Sequence, residues 1–137
     1  MLNERDINVL HHIIMYCDEI AATIDRFGAD YSIFRQDSVY KNATALCVLQ
    51  IGELTTHLTE SFKSTYTGIP WVQIKALRNV VAHNYGRIDD ESLWETIRGD
   101  IPSLKNYCSQ ILSNYEMSEN DELNSDIEES GKLDLKL

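Results

Sequence analysis

The sequence has no CxxC pair, no glycine-rich phosphate loop, no GxSxG elbow and no HExxH helix. Its three cysteines, Cys17, Cys47 and Cys108, are far apart and odd in number. That excludes a disulfide frame or a cysteine zinc site and points to reduced thiols in a cytoplasmic protein. No apolar run approaches ~20 residues, so no membrane span is expected. The charged residues Glu4, Arg5 and Asp6 near the start argue against a signal peptide. Neither strand-like alternation nor an internal repeat is visible. Basic residues are scarce, with 12 Lys and Arg against 22 Asp and Glu, and a net charge of −10. Residues 116–137 hold eight of the acids and two of the bases, a net of −6, which leaves −4 for the 115 residues before them. An acidic body argues against broad, nonspecific coating of nucleic acid, which needs many cations. It leaves room for a local cationic cleft.

What remains is helical periodicity. Ile7, Leu10, Ile14, Cys17, Ala21 and Ile24 recur at steps of three and four, flanked by Ile13, Ile20 and Phe27. This predicts a helix over about 3–27, ended by Gly28. A short turn or helix fits "ADYSIFRQ". Asp37 or Ser38 caps a second long helix, with Ala43, Leu46, Cys47, Ile51, Leu54, Leu58 and Phe62 inward. Gly52 sits mid-helix at a cost of roughly 1 kcal/mol against alanine, which close helix–helix approach would explain. Pro70 suits the first position of a third helix, whose buried side is Trp71, Ile74, Leu77 and Val81 and whose end lies between His83 and Gly86. Asp89 or Asp90 caps a fourth helix, interrupted at Gly99 and restarted at Pro102, with Ile101, Leu104, Cys108, Ile111 and Leu112 inward. The expected fold is all-α: an up-and-down bundle of four or five helices over residues 1–115. Residues 116–137 read as an acidic tail, disordered or ordered by a partner.

Most polar residues have ordinary explanations. His11 and His12 are neighbours, about 100° apart on a helix, and cannot chelate one metal together. Glu53 and His57 form an i, i+4 pair of the kind that supports a helix face. Tyr16, Phe27, Phe34 and Trp94 read as packing. No cofactor and no metal site is expected. The stretch "LRNVVAHNYGRID", residues 77–89, is different. Asn79 and His83 are i, i+4 and share a helix face, and Arg78 reaches the same region with a long arm. Arginine presents a fixed fork to phosphate oxygens, histidine moves protons near neutrality, and asparagine can hold the imidazole or a ribose hydroxyl. These are the parts for cleaving RNA by attack of its own 2′-hydroxyl, which requires no metal. One Arg and one His are few for that work, and two copies at a twofold interface would supply two of each. Helix-end chemistry is the alternative: Arg and His answering the macrodipole and capping carbonyls. Tyr85 can equally be a packing tyrosine with a bonded hydroxyl.

Arg78, four residues, His83, one residue, Tyr85 is an RxxxxHxY pattern, and it resembles that of the HEPN superfamily. "IGELTTHL" (51–58), "GIPWVQIKALRNVVAHNYGRID" (68–89) and "LWETIRGDIPSLKNY" (93–107) resemble blocks of its HepT-like branch, so the likeness covers about residues 3–114. The resemblance implies a helical homodimer in which two RxxxxH motifs line one cleft. It implies a metal-independent endoribonuclease, with tRNA among the substrates, acting as the toxin of a type VII toxin–antitoxin pair. The antitoxin would be a minimal nucleotidyltransferase that silences the toxin by AMP transfer to the motif tyrosine. Carried to this chain, Arg78 and His83 would be catalytic, Asn79 supporting and Tyr85 the AMPylation site. Glu53, from the IGE match, is a candidate for orienting His83 or Arg78. An alternative is a non-catalytic helical module that binds a nucleotidyltransferase and recognises phosphate without cutting. The weakly acidic body and the extra acidic tail depart from what such a likeness leads one to expect.

Overall fold

In a computed structural model the backbone is described for residues 2–135 and the side chains for residues 2–120. Among the described residues seven α-helices follow one another: α1 (Glu4–Phe27), α2 (Tyr31–Gln36), α3 (Ser38–Thr55), α4 (Glu60–Thr65), α5 (Trp71–Asn84), α6 (Asp90–Glu95) and α7 (Ile101–Leu135). Among the described residues there is no strand. The all-α expectation holds. Four long segments, α1, α3, α5 and the continuous α6–α7, make an up-and-down bundle, with α2 and α4 as short inserts.

The chain starts and stops these helices where short polar side chains replace missing backbone partners. Asn3 accepts from the Asp6 amide at 2.8 Å to open α1. Asp30 opens α2, and Asp37 opens α3 by accepting from the amides of Val39 and Tyr40. Gly28 closes α1 at φ +112°, a backbone conformation that side-chain-bearing residues rarely adopt. Its carbonyl accepts from the Tyr40 hydroxyl at 3.0 Å, locking the turn to α3.

Pairings across the helices fix the directions. Asp6, near the start of α1, accepts from the amide and hydroxyl of Thr59, just past the end of α3. Gly28, at the other end of α1, meets Tyr40 at the start of α3. The two helices are therefore antiparallel. Leu10, Ile13 and Ile20 of α1, Tyr40, Thr44 and Ile51 of α3, and Cys108 of α7 are all but sealed from solvent. Phe34 and Tyr40 meet edge-on at 5.0 Å, and Trp94 of α6 closes the same aromatic corner 5.0 Å from Phe34.

Four expectations change. The second long helix stops at Thr55 rather than running to Phe62. The hydroxyls of Thr55 and Thr56 donate back to the carbonyls of Gly52 and Glu53, competing with continued helix. Thr59 then opens α4 separately. Leu46, read as inward, is 56% exposed. Gly99 does not interrupt the last segment. The helix widens there into a single π turn, Thr96–Asp100, in which the Ile101 amide donates to the Thr96 carbonyl. A wider turn is a common answer to a proline two positions into the next helix, since Pro102 lacks an N–H and crowds the carbonyl of the preceding turn. Helix α7 also continues past Tyr115, where the inward pattern stops. The flexible tail expected over 116–137 lies, from residue 121 onward, outside the residues whose side chains are described.

The three cysteines are buried and unbridged. Burial pushes the Cys17 and Cys108 thiols from 9.0 up to about 12. It raises Cys47 to about 11, with the Glu19 carboxylate, 3.7 Å from its sulfur, adding to the effect. In the unfolded chain these thiols ionise near 9, and in the folded chain they hold their protons. Above pH 9 the unfolded state therefore binds fewer protons, and stability falls as pH rises. The expected loss is about 1.4 kcal/mol per pH unit for each thiol, read as falling urea midpoints between pH 8 and pH 10.5. Flat midpoints would contradict it.

Candidate active site

Helix α5 carries the motif, and its partner across the seam is α3. The start of α5 is held by aromatic contacts. The Trp71 indole donates to the Tyr66 carbonyl at 2.9 Å, and its ring lies 6.0 Å from that of Phe62. Gly68 donates to the Tyr107 hydroxyl at 3.1 Å. Any Cβ on Gly68 would overlap the Tyr107 ring. Past that anchor the helix is lightly seated. Val81 is its only buried residue, and Ile74 and Leu77 are half-buried over a cavity of about 380 Å³ shared with Ile51, Ile101 and Leu104. A larger cavity, about 460 Å³, lies against Tyr66, Tyr107 and Gln110 and holds none of the motif residues.

Gly52 explains the closeness of the seam. A Cβ there would overlap Cβ and Cγ of Arg78 and come within 3.4 Å of its Cα. The glycine thus lets α3 pass directly under Arg78, as its mid-helix position suggested. Arg78 is then caught from two sides. Its Nε lies 2.6 Å from Glu53 Oε1, and its Nη1 donates to Asn79 Oδ1 at 2.6 Å. The Glu53 contact is Coulombic more than directional: Nε is buried and its N–H makes no hydrogen bond among the described residues. The Arg78 side chain is 22% exposed and that of Glu53 43%, so the ion pair contributes no more than about 1 kcal/mol. It orients the guanidinium without fixing it, and leaves the remaining N–H groups for an anion.

Tyr85 follows α5 in one 3₁₀ turn, Tyr85–Arg87. Its hydroxyl donates to Asn42 Oδ1 on α3. Partial burial, and then the Asp90 carboxylate, hold the phenol above its ordinary value, so it stays protonated at neutral pH. Asp90 is itself paired with Lys41 at 3.4 Å. The ring of Tyr85 is 43% exposed. His83 is exposed and makes no hydrogen bond or ion pair among the described residues.

The arrangement joins some of the expected residues and separates others. Glu53, Arg78 and Asn79 form one cluster. Glu53 and Asn79 both contact the Arg78 guanidinium, and neither contacts the His83 imidazole among the described residues. Tyr85 sits farther along the same α3 seam. Asn42 and Lys41 were not singled out in the sequence. A signal for Asn42 existed: it lies eleven residues before Glu53, about three turns, so the two share a face of α3. The seven residues from Arg78 to Tyr85 make about two turns of an antiparallel neighbour.

Four further apolar side chains on these helices stand in solvent. Val39 is 63% exposed, Leu46 56%, Val72 80% and Val80 39%. Together with Tyr85 they are five of the eight exposed large hydrophobic residues among the described residues.

A family model described as Ribonuclease HepT-like matches residues 14–111. A probable ribonuclease HepT of Thermococcus cleftensis is 30% identical over 95 residues, 66% of this chain and 86% of the relative. A candidate RNase of Caldanaerobacter subterraneus subsp. tengcongensis is 28% identical over 103 residues, 75% of this chain and 90% of the relative. A candidate RNase of Methanocaldococcus jannaschii is 28% identical over 114 residues, 82% of this chain and 97% of the relative. No solved structure matches.

Proposed function

The chain belongs to the ribonuclease HepT-like family of the HEPN superfamily, and from that premise we propose that it is a metal-independent endoribonuclease, the toxin of a type VII toxin–antitoxin pair. The observation that carries the reading is Arg78, gripped by Glu53 and Asn79 with free N–H groups left over, one turn and a half before a His83 side chain that has no partner among the described residues. In the proposed reaction the ribose 2′-oxygen attacks the adjacent phosphorus and loses its proton to a base. The bond from phosphorus to the 5′-oxygen breaks, and that oxygen takes a proton from an acid. The products are a 2′,3′-cyclic phosphate and a 5′-hydroxyl. Because the nucleophile is part of the substrate, no bound metal is needed to generate it. Arg78 would stabilise the charge growing on the phosphate oxygens, and His83 would move the proton.

One chain offers one imidazole for two proton transfers. A homodimer would supply the second, and the exposed apolar layer of α3 and α5 suits a twofold contact that brings two copies of the motif together. The RNA, with tRNA one option, would lie in the cleft between them.

Tyr85 is proposed as the point of control. A cognate nucleotidyltransferase would join the phosphorus of AMP from ATP to its hydroxyl oxygen, releasing pyrophosphate. The phenol is protonated at neutral pH, so the transferase must supply the base. The added phosphate would compete for Arg78 with the phosphate of RNA. Tyr85→Phe keeps the ring and loses only the hydroxyl bonded to Asn42. The variant is expected to cut RNA within a few-fold of wild type and to gain no AMP unit in intact-mass spectra after incubation with the transferase and ATP. AMP still added to the Phe variant would remove Tyr85 as the site.

The lack of any partner for the His83 side chain among the described residues also suits a non-catalytic module that recognises phosphate and binds a nucleotidyltransferase. Cleavage by the unmodified protein separates the two readings: a module cuts nothing, and His83→Ala then changes nothing.

A further inference from the structure

We infer that the groove lined by Lys63, Trp71 and Lys75 beside Arg78 is a subsite for the RNA strand flanking the scissile phosphate. Lys75 and Lys63 take its phosphate oxygens, and Trp71 offers its ring to a base. The inference rests on the ribonuclease reading and asks what that reading leaves open: how an acidic chain holds a polyanion.

The groove, about 200 Å³, is lined by Thr55, Thr56, Glu60, Lys63, Trp71 and Lys75. It opens where α3 ends, two residues past Glu53, and follows α5 away from Arg78. A helix rise of 1.5 Å per residue sets Lys75 about 4.5 Å and Trp71 about 10.5 Å along the axis from Arg78. Successive steps of four and three residues keep the three side chains within about 60° of one another. An aromatic ring, a cation and the motif arginine thus form one stripe. Alternating cations and aromatic faces are how proteins hold single-stranded nucleic acid without reading its sequence.

The lysines are available. Lys75 is exposed and enters no ion pair among the described residues, whereas Lys41 and Lys105 are each tied to an aspartate. Lys63 is 3.3 Å from Glu60, but that carboxylate is 92% exposed and turns into solvent at little cost. The threonine hydroxyls donate backward along α3, so the lysine ammonium groups are the donors free to meet an anion. Trp71 has its indole N–H engaged by the Tyr66 carbonyl and its ring tilted 6.0 Å from Phe62, which hold it in place, and the half-buried ring lines the groove with the surface left over.

The test uses the full chain and its Lys63→Glu, Lys75→Glu and double variants. Lys75 is exposed and Lys63 half-buried, and helix content by circular dichroism checks that each variant folds. Two substrates are compared: an oligoribonucleotide of about ten residues, within the range such grooves accommodate, and a dinucleotide with only the scissile phosphate. Removing charge-assisted hydrogen bonds predicts a KM for the oligomer at least about tenfold higher in the double variant, with kcat and the dinucleotide unchanged. The slope of log affinity against log salt should shrink by about 1.4, at about 0.7 for each phosphate of the single strand that no longer meets a lysine. An unchanged oligomer KM overturns the inference while leaving the ribonuclease reading standing. So does an equal loss on both substrates, and so does a double variant that turns a dimer into monomers. Should the wild-type chain cut no RNA, the ribonuclease reading falls. Fluorescence anisotropy with the same oligomer then decides the groove: binding abolished in the double variant supports it, and equal binding overturns it.

Discussion

His83→Ala is expected to lower RNA cleavage by about 10²–10⁴-fold, the usual contribution of a positioned acid or base, without loss of stability. His83 is exposed and bonded to nothing among the described residues, so its removal leaves no cavity and no orphaned partner. The melting temperature should stay within a degree or two of wild type, and that distinguishes lost chemistry from lost fold. Arg78→Ala is a different case. It removes the cation from the cleft and also leaves Glu53 without its partner, so a comparable loss of rate should come with a small change in stability. Single-turnover assays on the two variants, alongside thermal melts, read both quantities. A His83→Ala protein that cuts RNA at the wild-type rate would take the imidazole out of the reaction. A cleavage loss matched by a fall in melting temperature would move His83 from chemistry to structure.

Gly52→Ala is expected to damage both stability and activity, against the ordinary trend. Replacing an interior helix glycine by alanine adds about 1 kcal/mol through reduced chain freedom and better propensity. At Gly52 the new methyl meets Cβ, Cγ and Cα of Arg78, atoms that cannot turn aside as a side-chain end would. Helix α5 must then move off α3. Overpacking of this kind costs about 1–3 kcal/mol, occasionally more, so the net change is destabilising. Because α5 is otherwise lightly seated over its cavity, it has room to shift, and the shift carries Arg78 with it. A misplacement of about 1 Å at a reacting group can cost about 10²-fold in rate. The variant should melt lower and cut RNA far more slowly. Gly99→Ala, where an added Cβ meets nothing within 4 Å, is the control and should be neutral or stabilising. A Gly52→Ala chain as stable and as active as wild type would show that α3 and α5 do not meet as closely as described.

Much of this was legible in the sequence, for identifiable reasons. The first helix was, because a long apolar stripe ended by Gly28 leaves little choice, although the Asn3 cap came only with the structure. The cap at Asp37 and the meaning of Gly52 were also legible, since each rests on a property of one residue. The stop at Thr55 was not. Apolar spacing continues through Leu58 and Phe62, but the Thr55 and Thr56 hydroxyls turn back on the last carbonyls of α3, and a tertiary bond from Thr59 to Asp6, 53 residues away, holds the chain in its new course. The π turn escaped because glycine followed by proline usually marks a break, and here a widened turn absorbs both. At the candidate site the motif gave Arg78, Asn79, His83 and Tyr85 together. Only the register of α3 against α5 separates them into a guanidinium held by Glu53, a tyrosine held by Asn42, and a histidine facing solvent. Leu46, read as inward, is 56% exposed, because apolar spacing marks a stripe on a helix and not how much of that stripe its neighbours cover.

The most direct test of the proposed function is cleavage of RNA by the purified, unmodified chain in excess chelator, with the product ends identified by mass. The expected result is cleavage with 2′,3′-cyclic phosphate and 5′-hydroxyl ends, abolished in His83→Ala. No cleavage of any RNA, a requirement for added metal, or full activity in His83→Ala would contradict it.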